Sequence, residues 1–222
     1  MPYARGAGGT NGTKASNTDL DIVGVDCRYG RSAEARRTRR ASVVFADMAL
    51  FELQFPIKDV TRHASRYSYE DDDEQRAMGR AAGERGWYLR KEFVEICRWK
   101  TTRSAPLVAR NGAGEVKAAT RTALAGRTDE RECMRALRGL SGVNWATASV
   151  LLHLAYPEYY PIWDVRALQA LGVEGRFTAS YRRWAAYVAI DRDVIERAGV
   201  GGRTLDNGMW QWSVDHDGPL RS

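Results

Sequence analysis

Hydrophobic positions recur at helical spacing through most of the chain. Leu89, Phe93, Ile96 and Cys97 stand at i, i+4, i+7 and i+8, which predicts one buried helix face from about Trp87 until the run ends at Trp99. A second helix is expected over about 114–125, broken by Gly126. A third starts after Asp129, whose spacing to Glu132 is that of a capping box. Pro157 and Pro161 bracket a loop, and helices follow at about 164–171, stopped by Gly172, at 178–190, and at 203–214 after Gly201 and Gly202. The acidic run at 70–74 reads as a helix N-terminus, where carboxylates favour the dipole. Residues 42–59 are apolar enough to enter the core, though their period does not separate helix from strand. Without repeats or alternating strand pairs, seven or eight helices predict an all-α, two-lobed domain over 41–222. Residues 1–40, rich in Gly, Thr and Asn and closing on Arg36, Arg37, Arg39 and Arg40, read as a flexible basic arm.

Composition narrows the function classes. The chain has 222 residues, enough to bury roughly 70% of its unfolded surface without staples. Its net charge of +6 fits an acidic partner such as nucleic acid. Lysine occurs only at 14, 58, 91, 100 and 117, and the other basic residues are arginines. That bias fits phosphate contacts and a G+C-rich genome equally well. Cys27, Cys97 and Cys133 are too few and too far apart for a disulfide framework or a C-x-x-C site. His63, His153 and His216 show no ligand spacing, so no metal site is expected. No apolar run approaches a membrane span of ~18 residues, and the N-terminus lacks a signal core, so a cytoplasmic protein, taken as a monomer, is expected.

The segment 134–172 carries the chemistry. Leu137 and Leu140 end one apolar helix face, Ser141-Gly142-Val143-Asn144 supplies a tight turn, and Ala148, Leu151, Leu152 and Ala155 begin the next face. This pattern resembles the helix-hairpin-helix DNA glycosylase superfamily, in its endonuclease III-like branch. Leu140, Gly142 and Val143 match the hairpin, Thr147 and Ala148 open the second helix, and Asp164 follows Thr147 by 17 positions. Residues 161–166, P-I-W-D-V-R, resemble the segment presenting the family's catalytic aspartate. The resemblance implies a DNA glycosylase acting on double-stranded DNA with a modified or mismatched base. A carboxylate beneath C1′ would stabilise the oxocarbenium-like transition state and orient water. Read by itself, Asp164 is more simply an N-cap for the helix beginning V-R-A-L, and the two roles are compatible.

The departures shape the expectation. Ser141 and Asn144 replace the usual proline and second glycine. Ala146 stands where bifunctional relatives place a Schiff-base lysine, and no lysine follows Lys117, so the resemblance implies a monofunctional enzyme without a lyase step, with Lys91, Lys100 or the terminal amine as the amines that would overturn it by reaching the cleft from elsewhere. An iron-sulfur cluster would need four cysteines after the hairpin, and the sequence has none there. The family often adds a monovalent cation held by hairpin carbonyls, and no other cofactor is implied.

Helix N-termini bind phosphate through free backbone N–H groups, which makes Gly142, Val143, Asn144, Trp145, Ala146 and Thr147 the candidates for gripping the DNA backbone. The alternative for the same residues is a turn that only packs two helices. A flipped base needs aromatic or apolar walls, and Tyr160, Trp163, Trp99 and Trp87 are the candidates, with core packing as their other reading. Arg166 is a candidate for phosphate or for an intramolecular ion pair. Two further readings stay open: a non-catalytic helix-hairpin-helix module that binds DNA, and a helical protein that keeps the hairpin as architecture.

Overall fold

The structure is a computed structural model of the chain, and it describes residues 49–68, 72–125, 129–173 and 178–217. The basic arm at 1–40, residues 42–48, Glu70, Asp71 and Gly126 lie outside the described residues. Ten α-helices stand among those residues, with no strand, so the all-α expectation is met.

In chain order the helices are α1 (Val60–Ala64), α2 (Asp73–Arg85), α3 (Arg90–Lys100), α4 (Ala105–Val108), α5 (Ala113–Ala125), α6 (Glu130–Arg138), α7 (Trp145–Ala155), α8 (Val165–Ala170), α9 (Tyr181–Ala198) and α10 (Gly202–Asp217). Short 3-10 turns precede α1 and α4. Helices α2 to α7 pack on one another, and α1, α8, α9 and α10 form a second group that meets the first mainly where α9 touches α6. The chain passes from the second group to the first between α1 and α2, and returns in the loop joining α7 to α8.

Sequence explains most of the boundaries. Asp129 caps α6, accepting from the N–H groups of Arg131 (3.0 Å) and Glu132 (3.1 Å). The capping box forms only by half, because Glu132 turns to Arg135 (2.6 Å). Ser180 caps α9 by accepting from Arg183 N–H. Helix α9 runs on to Ala198, eight residues beyond the expected end, because buried Asp191 and Val194 continue its inner face. Residues 49–56 form neither helix nor strand. They lie extended along α8, with Glu52 and Gln54 donating N–H to the carbonyls of Leu171 and Ala170, while Phe51 and Phe55 fill the core as expected.

Helix α7 is buried along its whole length from Thr147 to Ala155, as a helix apolar on every face must be. Helix α2 crosses it closely. A Cβ on Gly79 would overlap the backbone and Cβ of Leu154, so glycine is required there for contact and not for flexibility.

Candidate active site

Asp164 sits at the end of the loop between the helix groups and caps α8, its Oδ1 accepting from the N–H of Arg166 at 3.0 Å. Its other oxygen, Oδ2, accepts from Lys100 Nζ at 2.6 Å. Lys100 is the last residue of α3, so the pair joins the two helix groups across the chain crossing. Burial opposes the charge on Asp164, but the Lys100 ammonium and its hydrogen bond, together with the Arg166 N–H and guanidinium, prevail. The carboxyl is held below its usual range and stays ionised at neutral pH.

The pair lines a cavity of about 580 Å³. Trp99 and Lys100 come from the end of α3, Ile162 and Asp164 from the loop, Arg166 from α8, and Tyr67 from the segment after α1. Helix α10 supplies Arg203, Asp206, Trp210 and Val214, spaced so that one helix face looks into the cavity. Tyr67 and Trp210 meet edge to face with ring centroids 5.2 Å apart, and the Arg203 guanidinium lies over the Tyr67 ring. Arg203 is pinned from two sides, donating to Asp206 Oδ2 at 2.8 Å and to Asp72 Oδ2. Asp206 is buried, and its carboxyl is pushed above the usual range, by burial first.

Of the aromatic candidates, Trp99 lines the cavity and the other three do not. Tyr160 is fully buried, with its hydroxyl against Cys133 Sγ at 3.5 Å. Trp163 is packed edge to face on Tyr187, with Trp184 and Trp145 beside it, so adjacency to Asp164 in sequence turned its ring into the core. Successive residues in an extended segment point to opposite sides, which is why Ile162 and Asp164 face the cavity and Trp163 does not. Trp87 lies under Arg85 and Lys117, away from the cavity lining. Arg166 is buried, and its Nη1 donates to the carbonyl and hydroxyl of Ser213 (both 3.3 Å), which ties α8 to α10. The side chain also borders the cavity.

The turn at 139–144 is bonded mainly to the protein itself. Asn111, which the sequence did not single out, straps it: Oδ1 accepts from Ser141 N–H at 2.8 Å, and Nδ2 donates to the Ser141 carbonyl at 2.9 Å. Gly142 has φ +77°, and a Cβ there would meet Val108 at 2.9 Å, so two independent reasons demand glycine. Val143 is buried. Asn144 caps α7 and accepts from Thr147 N–H at 2.9 Å, which withdraws that N–H from the phosphate candidates. Thr147 is itself buried, and Trp145 is held between Arg138 (4.3 Å) and Tyr181 (5.1 Å). Of the candidate backbone N–H groups over 142–147, those of Val143 and Thr147 are spent inside the protein, on the Leu140 carbonyl (3.2 Å) and on Asn144 Oδ1 (2.9 Å).

Among the described residues no group of metal-ligating side chains is found, and no helix is long and apolar enough to cross a membrane. Neither a family model, nor a curated protein, nor a solved structure matches this chain.

The residues that sequence reasoning missed are Tyr67, Arg203 and Asp206, and Lys100 was open only as one of several amines able to reach the site from elsewhere in the chain. Arg203, Asp206, Trp210 and Val214 carried a signal, being mixed polar and aromatic positions at helical spacing. Lys100 carried none beyond its scarcity, because α3 and the Asp164 loop are far apart in the chain.

Proposed function

We propose that the chain is a DNA N-glycosylase that receives a base rotated out of the duplex and breaks its N-glycosidic bond at Asp164. The observation that carries this reading is a carboxylate held ionised beside an aromatic-walled cavity. As the bond to the base lengthens, positive charge builds on the sugar, and a fixed negative charge beneath C1′ lowers that barrier. Asp164 is aimed by its cap on α8 and by Lys100, so it needs no rearrangement when the charge appears. Trp99, Tyr67 and Trp210 are the walls between which a flat base would stack. Water directed by Asp164 then adds to C1′, leaving an intact abasic strand.

One distance favours a second account of the end point. The expectation of a purely hydrolytic enzyme rested on Ala146 at the hairpin position, yet an amine reaches the site from α3. Lys100 Nζ, 2.6 Å from Asp164, can pass a proton to that carboxylate and attack C1′ while the base leaves with the bond electrons. The resulting Schiff base would permit strand cleavage by β-elimination.

The test treats the full chain with damaged genomic DNA and identifies released bases by mass spectrometry, with borohydride added in a parallel arm. Base release is the expected result, and salt-sensitive binding without any release would leave a non-catalytic DNA-binding module. Borohydride cross-linking that disappears in Lys100→Met establishes the lyase route. A product strand that breaks only in hot alkali, with no cross-link, establishes hydrolysis.

A further inference from the structure

We propose that Asp206 is the proton donor to the departing base, and that the substrates are therefore uncharged bases that need a proton in order to leave. The inference rests on the glycosylase reading above and adds a second catalytic group and a substrate class to it.

Two carboxyls, Asp164 and Asp206, border the same cavity from different elements. Their surroundings push them in opposite directions. Asp164 has Lys100 on one oxygen and a helix N-terminus on the other, which fixes the charged form. Asp206 lies within α10, where burial disfavours charge, and Asp164 adds to that by repulsion. The groups that act on it from the surrounding elements are His153 of α7, Arg203 of α10, Asp164 and Lys100, while the rings of Tyr67 and Tyr187 and the buried carboxyl of Asp191 on α9 feel its charge in turn. His153 is held neutral: its Nδ1 is bonded to the Tyr160 carbonyl at 2.8 Å, and burial lowers its affinity for a proton. Arg203 supplies the opposing positive charge, but divides it between Asp206 and Asp72. Where neighbouring carboxyls are driven apart in this way, the charged one stabilises or activates and the neutral one acts as acid.

Asp206 is also built to deliver a proton in one direction. Oδ2 is occupied by Arg203 Nη1, which leaves Oδ1 without a hydrogen-bond partner among the described residues and fixes the plane of the carboxyl. In the reaction the C1′–N bond breaks and its electron pair goes to the base. The proton on Asp206 moves to a ring nitrogen or carbonyl oxygen of that base, which departs neutral and leaves Asp206 as carboxylate. The attacking water, or Lys100, forms the new bond to C1′ and gives its proton to Asp164. Solvent then returns both carboxyls to their starting states. With Asp206 protonated, the lining carries Lys100, Arg166 and Arg203 against the single charge of Asp164, a surround that disfavours a cationic base.

The experiment compares bases that differ only in this need. Genomic DNA methylated with dimethyl sulfate carries cationic N-methylpurines, which leave without a proton. The same DNA deaminated with nitrous acid or oxidised carries uncharged modified bases. Free bases released by the wild-type chain and by Asp206→Asn are quantified under single-turnover conditions. Asparagine keeps an acceptor for Arg203 while removing the acid. The expected result is wild-type release of uncharged bases, with the ratio of uncharged to cationic release falling by about 10²-fold or more in Asp206→Asn. A second readout needs only the wild-type chain, and so survives a variant that fails to fold. Release of uncharged bases should decline as pH rises through the Asp206 titration, and release of any cationic base should not follow that decline. An unchanged ratio in a folded variant, coincident pH profiles for the two classes, or release confined to cationic bases overturns the inference and leaves the glycosylase reading standing. Absence of any released base overturns both.

Discussion

The turn at 139–144 and the cavity between the helix groups treat polar groups in contrary ways. In the turn, Asn111 and Asn144 satisfy the backbone around Ser141 and Thr147, Gly142 is pressed on Val108, and no titratable side chain takes part. In the cavity, Lys100, Asp164, Arg203 and Asp206 are held close together and partly desolvated, answered by one another, by Asp72 and by the Tyr67 ring. A neutral, internally bonded turn gives rigidity without a reactive group. A set of charges kept from water, aimed by caps and ion pairs, is poised to act on something that enters. The contrast sets the turn apart as the neutral, internally bonded element and the cavity as the place where charges gather, whereas the sequence pointed to backbone binding or packing in the turn and to chemistry at Asp164.

The largest expected effect lies in the cavity. Asp164→Asn keeps an acceptor for the Arg166 N–H and so keeps the start of α8, but it removes the charge facing C1′. Base release should fall by about 10³-fold or more, with DNA affinity little changed and some stability lost with the Lys100 ion pair. Wild-type turnover in this variant would remove Asp164 from the chemistry. In the turn, Gly142→Val places a side chain into Val108 from a left-handed backbone conformation. A loss of about 3 kcal/mol or more in stability is expected, read by denaturant unfolding. If instead the variant is as stable as wild type and loses only DNA affinity, the turn is a binding element and the comparison fails.

Asn111→Ala is a milder form of the same challenge. Asn111 is buried and bonds the Ser141 backbone twice and the Val108 carbonyl at 2.8 Å, so truncation takes a partner from the part-buried Ser141 N–H and carbonyl and from the buried Val108 carbonyl. About 2 kcal/mol of lost stability is expected, with no change in the uncharged-to-cationic release ratio.

What the sequence made legible follows the range of the interactions involved. Helices and the caps at Asp129 and Asp164 are written in neighbouring residues, and the all-α class with them, whereas the caps at Asn144 and Ser180 emerged from the structure. Gly142 was singled out for its place in the turn, but its reason, the proximity of Val108, lies in another helix. The aromatic candidates fared according to partners that sequence distance hides. Trp163 was drawn inward by Trp184 and Tyr187, and Tyr160 by Cys133, while Trp99 reached the cavity because α3 ends beside the Asp164 loop. Lys100 meets Asp164 only after the two helix groups have packed, and no local pattern records that meeting.

The smallest effect separates the two regions by pH. Asp191 on α9 is fully buried, and its carboxyl is raised well above the usual range by burial and by the nearby Asp206, with Arg192 opposing. A carboxyl raised in the folded state favours folding while protonated. That contribution is complete below the unfolded value and is lost as pH rises through the folded one. Asp191→Asn is neutral at every pH, so it should match the wild type in acid and become the more stable protein as pH rises, by about 1 kcal/mol near pH 8, or roughly 2–4 °C in the melting temperature. The deficit of Asn111→Ala, which involves no titrating group, should stay constant over the same range. A stability gain for Asp191→Asn that does not grow with pH would mean that Asp191 is ionised in the fold and paired. It would then belong with the satisfied groups of the turn and not with the constrained charges around the cavity.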